Sequence, residues 1–191
     1  MKKVFIIHGF RGAPNGSWKS WLMWELGKKD IYACALPMPS PDNPKKDEWI
    51  KVIKEAVSIL NEEIFLVGHS LGVPAILHYL ETLNDNEKIG GAVLVSGPIT
   101  ILNSENKDSK LRKIDNFLDT PFDFNYIKQK SKKFSIIHGD NDDKVPLGHA
   151  KIFADKFDCK LVIIPGGGHL SSSSGCYQLP EAPKALQDML K

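Results

Sequence analysis

Gly68-His69-Ser70-Leu71-Gly72 concentrates more chemistry than any other five residues of this chain. It follows a β-rich apolar run (Ile64–Val67) and opens an amphipathic one (Leu71–Leu83). In such a strand–turn–helix a sharp turn pushes the serine hydroxyl out at the sheet edge, and only small residues two positions away avoid a clash. The helix that follows turns free N–H groups toward an oxyanion formed there. A hydroxyl is a weak nucleophile and needs a base, itself held by a carboxylate. Both occur downstream. Phe134–Ile137 runs into His138-Gly139-Asp140-Asn141-Asp142-Asp143-Lys144-Val145-Pro146, and Leu161–Ile164 runs into Pro165-Gly166-Gly167-Gly168-His169. Ser70, an Asp and His169 therefore follow one another in the order expected when a hydrolytic triad is built on strand ends. Asp142 is the preferred acid, its neighbour Asp143 is the alternative, and Asp140 reads as a turn-capping residue.

The first apolar run ends in His8-Gly9-Phe10-Arg11-Gly12, where a glycine lets the backbone approach the nucleophile. The amides of Phe10 and Leu71 are the expected oxyanion hole. The same stretch lacks G-x-G-x-x-G, and G-x-x-x-x-G-K-[ST] is absent from the chain, so nucleotide binding is not expected. His8, His69, His78, His138 and His149 read as structural, with no carboxylate partner at metal-ligand spacing. Neither a metal nor a cofactor is expected. Trp18, Trp21 and Trp24 read as core, with Trp18 close enough in sequence to the oxyanion loop to border a pocket.

These side chains need elements to position them. Val4–Ile7, Ile31–Leu36, Ile64–Val67, Ala92–Val95, Phe134–Ile137 and Leu161–Ile164 are continuous apolar runs, the pattern of strands covered on both faces. Helical spacing falls between them: Trp18 to Leu26 after a cap at Ser17, Trp49 to Leu60 after Asp47, Leu71–Leu83, Leu147–Phe157 and Glu181–Leu190. Alternation of this kind predicts a doubly wound α/β fold: a mostly parallel sheet of about six strands, with right-handed crossovers and helices on both faces. One segment, 98–133, breaks the rhythm. It is polar, holds Phe117, Leu118, Phe122, Phe124 and Tyr126, and reads either as a small cap over the site or as a surface excursion with aromatic anchors. The whole chain, 1–191, is expected to be one domain.

Composition narrows the classes further. With 25 Lys+Arg against 23 Asp+Glu, the net charge of +2 gives no reason to expect a nucleic-acid partner. A hydrophobic content of 42% argues against a disordered chain. The longest uncharged apolar stretch, Ile64–Leu80, holds Gly68, His69, Ser70, Gly72 and Pro74, and is not a membrane span. Three cysteines, Cys34, Cys159 and Cys176, form no zinc or disulfide pattern. Cys34 and Cys159 read as small buried residues. No secretion signal is recognisable at the start, and a cytoplasmic location is the default. Nothing here sets an oligomeric state.

Taken together, His8-Gly9-Phe10, the Gly68–Gly72 pentapeptide, the 138–146 turn and Gly166–His169 resemble the α/β-hydrolase superfamily over nearly the whole chain. Gly16-Ser17-Trp18, Trp21, Glu25-Leu26, Leu36-Pro37-Met38-Pro39 and Trp49 resemble the small serine hydrolases related to retinoblastoma-binding protein 9. The resemblance implies a compact hydrolase with Ser70, Asp142 or Asp143, and His169 as its triad, acting on small carboxylic esters. Retinoblastoma binding does not carry over, because the L-x-C-x-E motif is missing. Thioester or amide hydrolysis would use the same residues. A binding or regulatory module, with the Phe117–Tyr126 aromatics as its surface, is the reading from another class.

Overall fold

The computed structural model of the protein describes residues 1–102 and 111–190. Its strands are β1 (Lys3–Ile7), β2 (Tyr32–Leu36), β3 (Ile64–His69), β4 (Gly91–Val95), β5 (Phe134–Gly139) and β6 (Lys160–Ile164). They form one six-stranded sheet in the order β2-β1-β3-β4-β5-β6, with every neighbouring pair parallel. The helices are α1 (Lys19–Gly27), α2 (Lys46–Ala56), α3 (Gly72–Glu81), α4 (Phe124–Gln129), α5 (Leu147–Phe157) and α6 (Glu181–Leu190). The expected doubly wound α/β architecture is present, and the sheet is parallel throughout.

Topology explains the two layers of helix. The chain steps one way from β1 to β2, then the other way from β3 to β6. With right-handed crossovers, that reversal moves the connecting helices to the opposite face. Alternate strand residues follow. Phe5 and Ile7 belong to one core with Trp49 and Ile53 of α2, Ile76 of α3 and Phe153 of α5, whereas Val4 and Ile6 belong to the other, with Trp18, Leu22 of α1 and Leu186 of α6. Both sides of β1 are buried, which is why its sequence is an unbroken apolar run. The edges differ from expectation. Tyr32 in β2 is 50% exposed and Ile163 in β6 is 43% exposed, because an edge strand has one neighbour and less cover. Cys34 and Cys159, at or beside these edges, are half-buried thiols rather than buried ones.

The start of α1 also departs from the sequence reading. Ser17 does not cap it. This residue has φ +58° and donates its hydroxyl to the Cys176 carbonyl at 2.7 Å, while Trp18 occupies the cap position without a side-chain bond. Trp18, Leu22 and Leu26, four residues apart, are fully buried, whereas Trp24 is 61% exposed, with Lys28 Nζ 3.8 Å from its ring centroid. Trp18 is therefore core and does not border the cleft.

Within the 98–133 excursion, residues 103–110 lie outside the described residues; the rest holds a short 3-10 helix (Leu111–Phe117) and α4. Phe117, Leu118 and Phe122 are buried against the body of the protein. His78 Nε2 meets the Phe117 carbonyl at 3.0 Å, and the Tyr126 hydroxyl donates to the Leu83 carbonyl at 2.6 Å. These aromatics face inward, so they do not form the exposed interaction surface considered from sequence.

Candidate active site

The site forms at the carboxyl ends of β1, β3, β5 and β6, where the loops after β1 and β3 diverge and leave a crevice. At the end of β3 the chain turns sharply. Ser70 has φ +53°, a region a non-glycine residue enters at a cost of about 1–3 kcal/mol, and its N–H donates to the Val95 carbonyl at 2.9 Å. The turn fits only because glycine flanks it. A Cβ on Gly72 would lie 2.3 Å from the Ile7 carbonyl oxygen, and a Cβ on Gly9 would lie 2.7 Å from Ser70 Cβ.

Ser70 Oγ lies 2.9 Å from His169 Nε2. His169 Nδ1 donates to Asp142, with Oδ2 at 2.8 Å and Oδ1 at 3.0 Å. Asp142 Oδ1 also accepts the N–H groups of Lys144 and Val145, each at 2.9 Å. The Asp142 side chain has no exposed surface. Burial raises its pKa, but the hydrogen bond and charge of His169 and the two backbone N–H groups outweigh that and hold it below the ordinary 3.8. Asp143, the alternative acid, is exposed and lines the cleft instead. Asp140 caps no turn of its own; its Oδ1 accepts from Gly166 N at 2.8 Å in the neighbouring loop. Phe10 and Leu71 line the same cleft as Ser70. Among the described residues, neither backbone N–H donates to a protein acceptor.

Three supporting contacts join residues whose pairing the sequence does not announce. Asn141 Oδ1 accepts from Gly168 N at 2.7 Å. His69 Nε2 donates to the His169 carbonyl at 2.9 Å, and Trp18 Nε1 donates to the Leu170 carbonyl at 2.8 Å. Burial pushes the His69 pKa down to about 3, so this ring stays neutral. His8 and His138 are structural: His8 Nδ1 donates to the Gly9 carbonyl at 2.8 Å and His138 Nε2 to the Val145 carbonyl at 2.8 Å. His149 lines the cleft and accepts from Ile99 N at 3.0 Å.

The cleft has a volume of about 1010 Å³. Its described lining runs from Phe10 and Arg11 across Ser70 to Ile101, Leu102 and Ile114 of the excursion. Among the described residues, no group of three or more His, Cys, Asp or Glu is placed to hold a metal ion. No helix among them is long and apolar enough to cross a membrane.

A family model described as serine hydrolase matches residues 4–188. The chain is 34% identical to YdeN of Bacillus subtilis (strain 168) over 179 residues, 94% of this chain and 91% of that protein. The crystal structure of the B. subtilis ydeN gene product superposes with a TM-score of 0.92 at 33% identity, covering 100% of this chain and 99% of that one. Serine hydrolase RBBP9 of Rattus norvegicus is 24% identical over 175 residues, 90% of this chain and 88% of that protein. More distantly, the meta-cleavage product hydrolase of Pseudomonas fluorescens IP01 shares the fold, with a TM-score of 0.70 at 18% identity over 100% of this chain and 90% of that one.

Proposed function

The chain belongs to the serine hydrolase family, and from that premise we propose that it cleaves small-molecule carboxylic esters through an acyl-enzyme on Ser70. The observation that carries the reading is the unbroken hydrogen-bond chain from Ser70 Oγ through His169 to the buried Asp142. With Nδ1–H committed to the carboxylate, Nε2 is left as an acceptor for the serine proton. Ser70 Oγ attacks the acyl carbon while Nε2 takes its proton, giving a tetrahedral oxyanion beside the amides of Phe10 and Leu71. Collapse breaks the bond to the alcohol, which leaves with the proton from His169. Water then enters, gives a proton to Nε2 and attacks the acyl-enzyme; the second collapse returns the proton to Ser70 and frees the acid. No cofactor takes part in this scheme.

A fluorophosphonate probe and 4-nitrophenyl butyrate test it together. The expected result is one adduct on Ser70, and a Ser70→Ala variant whose kcat/KM falls by at least about 10³. A folded wild-type protein that neither labels nor turns over esters would instead match a binding module on a hydrolase scaffold.

A further inference from the structure

Two lysines of the described chain are buried, and their surroundings differ. Lys130, 1% exposed, is fully partnered: its Nζ donates to the Asn84 carbonyl at 2.7 Å, lies 3.7 Å from Asp85 Oδ1 and sits 4.2 Å from the Tyr126 ring centroid. Lys19, 3% exposed, opens α1, and among the described residues its Nζ has no hydrogen bond and no ion pair. The Trp18 ring, 5.7 Å away, is its one aromatic contact. An ammonium left with little water and no counter-charge is costly, so it persists where a ligand supplies the charge or where function offsets the cost.

Lys19 lines the cleft that contains Ser70 and His169. Arg11 and Lys144 line it too, and Asp143 is the sole acid among the described lining residues. Three titratable groups feel the Lys19 charge: His8 just after β1, His69 at the end of β3 and the Cys176 thiol ahead of α6. None of them is an anion near neutral pH: burial keeps both rings uncharged and pushes the thiol up to about 11. Burial also brings the Lys19 ammonium down to about 8.

We infer that Lys19 is the counter-charge for a carboxylate on the substrate, so that the esters this site selects are anionic. The inference rests on the ester-hydrolase reading and deepens it. A carboxylate beside Lys19 would complete an ion pair that the fold leaves open, with Arg11 and Lys144 adding attraction across the same cleft. A neutral ester leaves the ammonium unpaired.

Two matched pairs of esters test this against wild type, Lys19→Met and Lys19→Arg. Mono(4-nitrophenyl) succinate against 4-nitrophenyl butyrate puts the carboxylate on the acyl side. The butyrate ester of 4-hydroxybenzoate against that of methyl 4-hydroxybenzoate puts it on the leaving group. In at least one pair, the anionic-to-neutral ratio of kcat/KM should fall about tenfold or more in Lys19→Met, equivalent to about 1.4 kcal/mol. The loss should lie in KM and be restored in large part by Lys19→Arg. In wild type the ratio should decline above about pH 8, as the ammonium gives up its proton. Lys19→Met should also melt higher, because it removes an unpaired buried charge, so a lost preference would not reflect unfolding. Equal ratios in wild type and Lys19→Met for both pairs would overturn the inference. If no ester is turned over, the functional reading fails separately, and calorimetric titration with succinate still decides: saturable binding lost in Lys19→Met supports the subsite, and no binding to wild type ends it.

Discussion

Replacing Asp142 by Asn tests the geometry at its most sensitive atom. Oδ1 is committed to the N–H groups of Lys144 and Val145, both at 2.9 Å, so the asparagine oxygen stays there. The new amide NH2 then takes the place of Oδ2, 2.8 Å from His169 Nδ1. Two donors cannot face each other at that distance. The imidazole must lose its Nδ1 proton and carry it on Nε2, where it meets Ser70 Oγ at 2.9 Å and can no longer accept the serine proton. The fold is expected to survive, since size and the backbone bonds are kept. A wrong tautomer of this kind costs about 10⁴-fold in kcat, or about 5 kcal/mol of transition-state stabilisation. The assay is kcat/KM on 4-nitrophenyl butyrate at neutral pH, with circular dichroism to show a native fold. Asp143→Asn serves as the internal control. Its carboxylate is exposed and has no hydrogen bond to His169, so its activity should stay within about threefold of wild type, as for most exposed charges. Asp142→Asn retaining more than a tenth of wild-type activity, or Asp143→Asn being the damaging change, would refute the assignment.

Two further substitutions probe the support around this chain. Gly72 is the first residue of α3, where replacing Gly by Ala would ordinarily cost nothing and would favour the helix by up to about 1 kcal/mol. Here the added Cβ would lie 2.3 Å from the Ile7 carbonyl oxygen and 2.9 Å from that of His8, so the urea midpoint should fall by the equivalent of about 1–3 kcal/mol, with activity lost as the Ser70 turn shifts. Trp18→Phe keeps the buried ring but removes the donor to the Leu170 carbonyl; stability should drop by about 1–3 kcal/mol in thermal melts, and kcat should fall more than KM changes.

Much of this architecture is legible from residues in sequence because the strands carry the signal twice. In β1, both Val4 and Phe5 must be apolar, since one belongs to the core shared with α1 and α6 and the other to the core shared with α2, α3 and α5. The pattern fades where burial is one-sided, as at Ile163 and Tyr32 on the edges. Ser70 is readable because its strained turn demands glycine on both sides, a constraint written into adjacent residues. What escapes is anything set by residues far apart in the chain. Ser17 is a standard helix-cap residue by type, yet its hydroxyl turns to the Cys176 carbonyl, 159 residues away. Lys19 looks like any lysine on a helix, and nothing local announces that Trp18 and the cleft wall will bury it.

The acidic turn after β5 shows why Asp142 alone does not account for the site. Its histidine partner arrives on Gly166-Gly167-Gly168, a loop with little side-chain matter of its own to fix it. A ring that must keep its place within about 0.5 Å cannot rest on such a loop unaided. Asp140 and Asn141 answer this by accepting the N–H groups of Gly166 and Gly168 at 2.8 and 2.7 Å, while His69 and Trp18 hold the carbonyls of His169 and Leu170 from the other side. Consecutive residues of one turn thus have separate roles, with Asp140 and Asn141 placing the backbone of the glycine loop and Asp142 orienting the ring. The donors on the opposite side come from the strand that carries Ser70 and from the start of α1. The loop that carries His169 is therefore pinned both by the strand end that supplies Asp142 and by the one that leads into Ser70, so displacement of either should move His169.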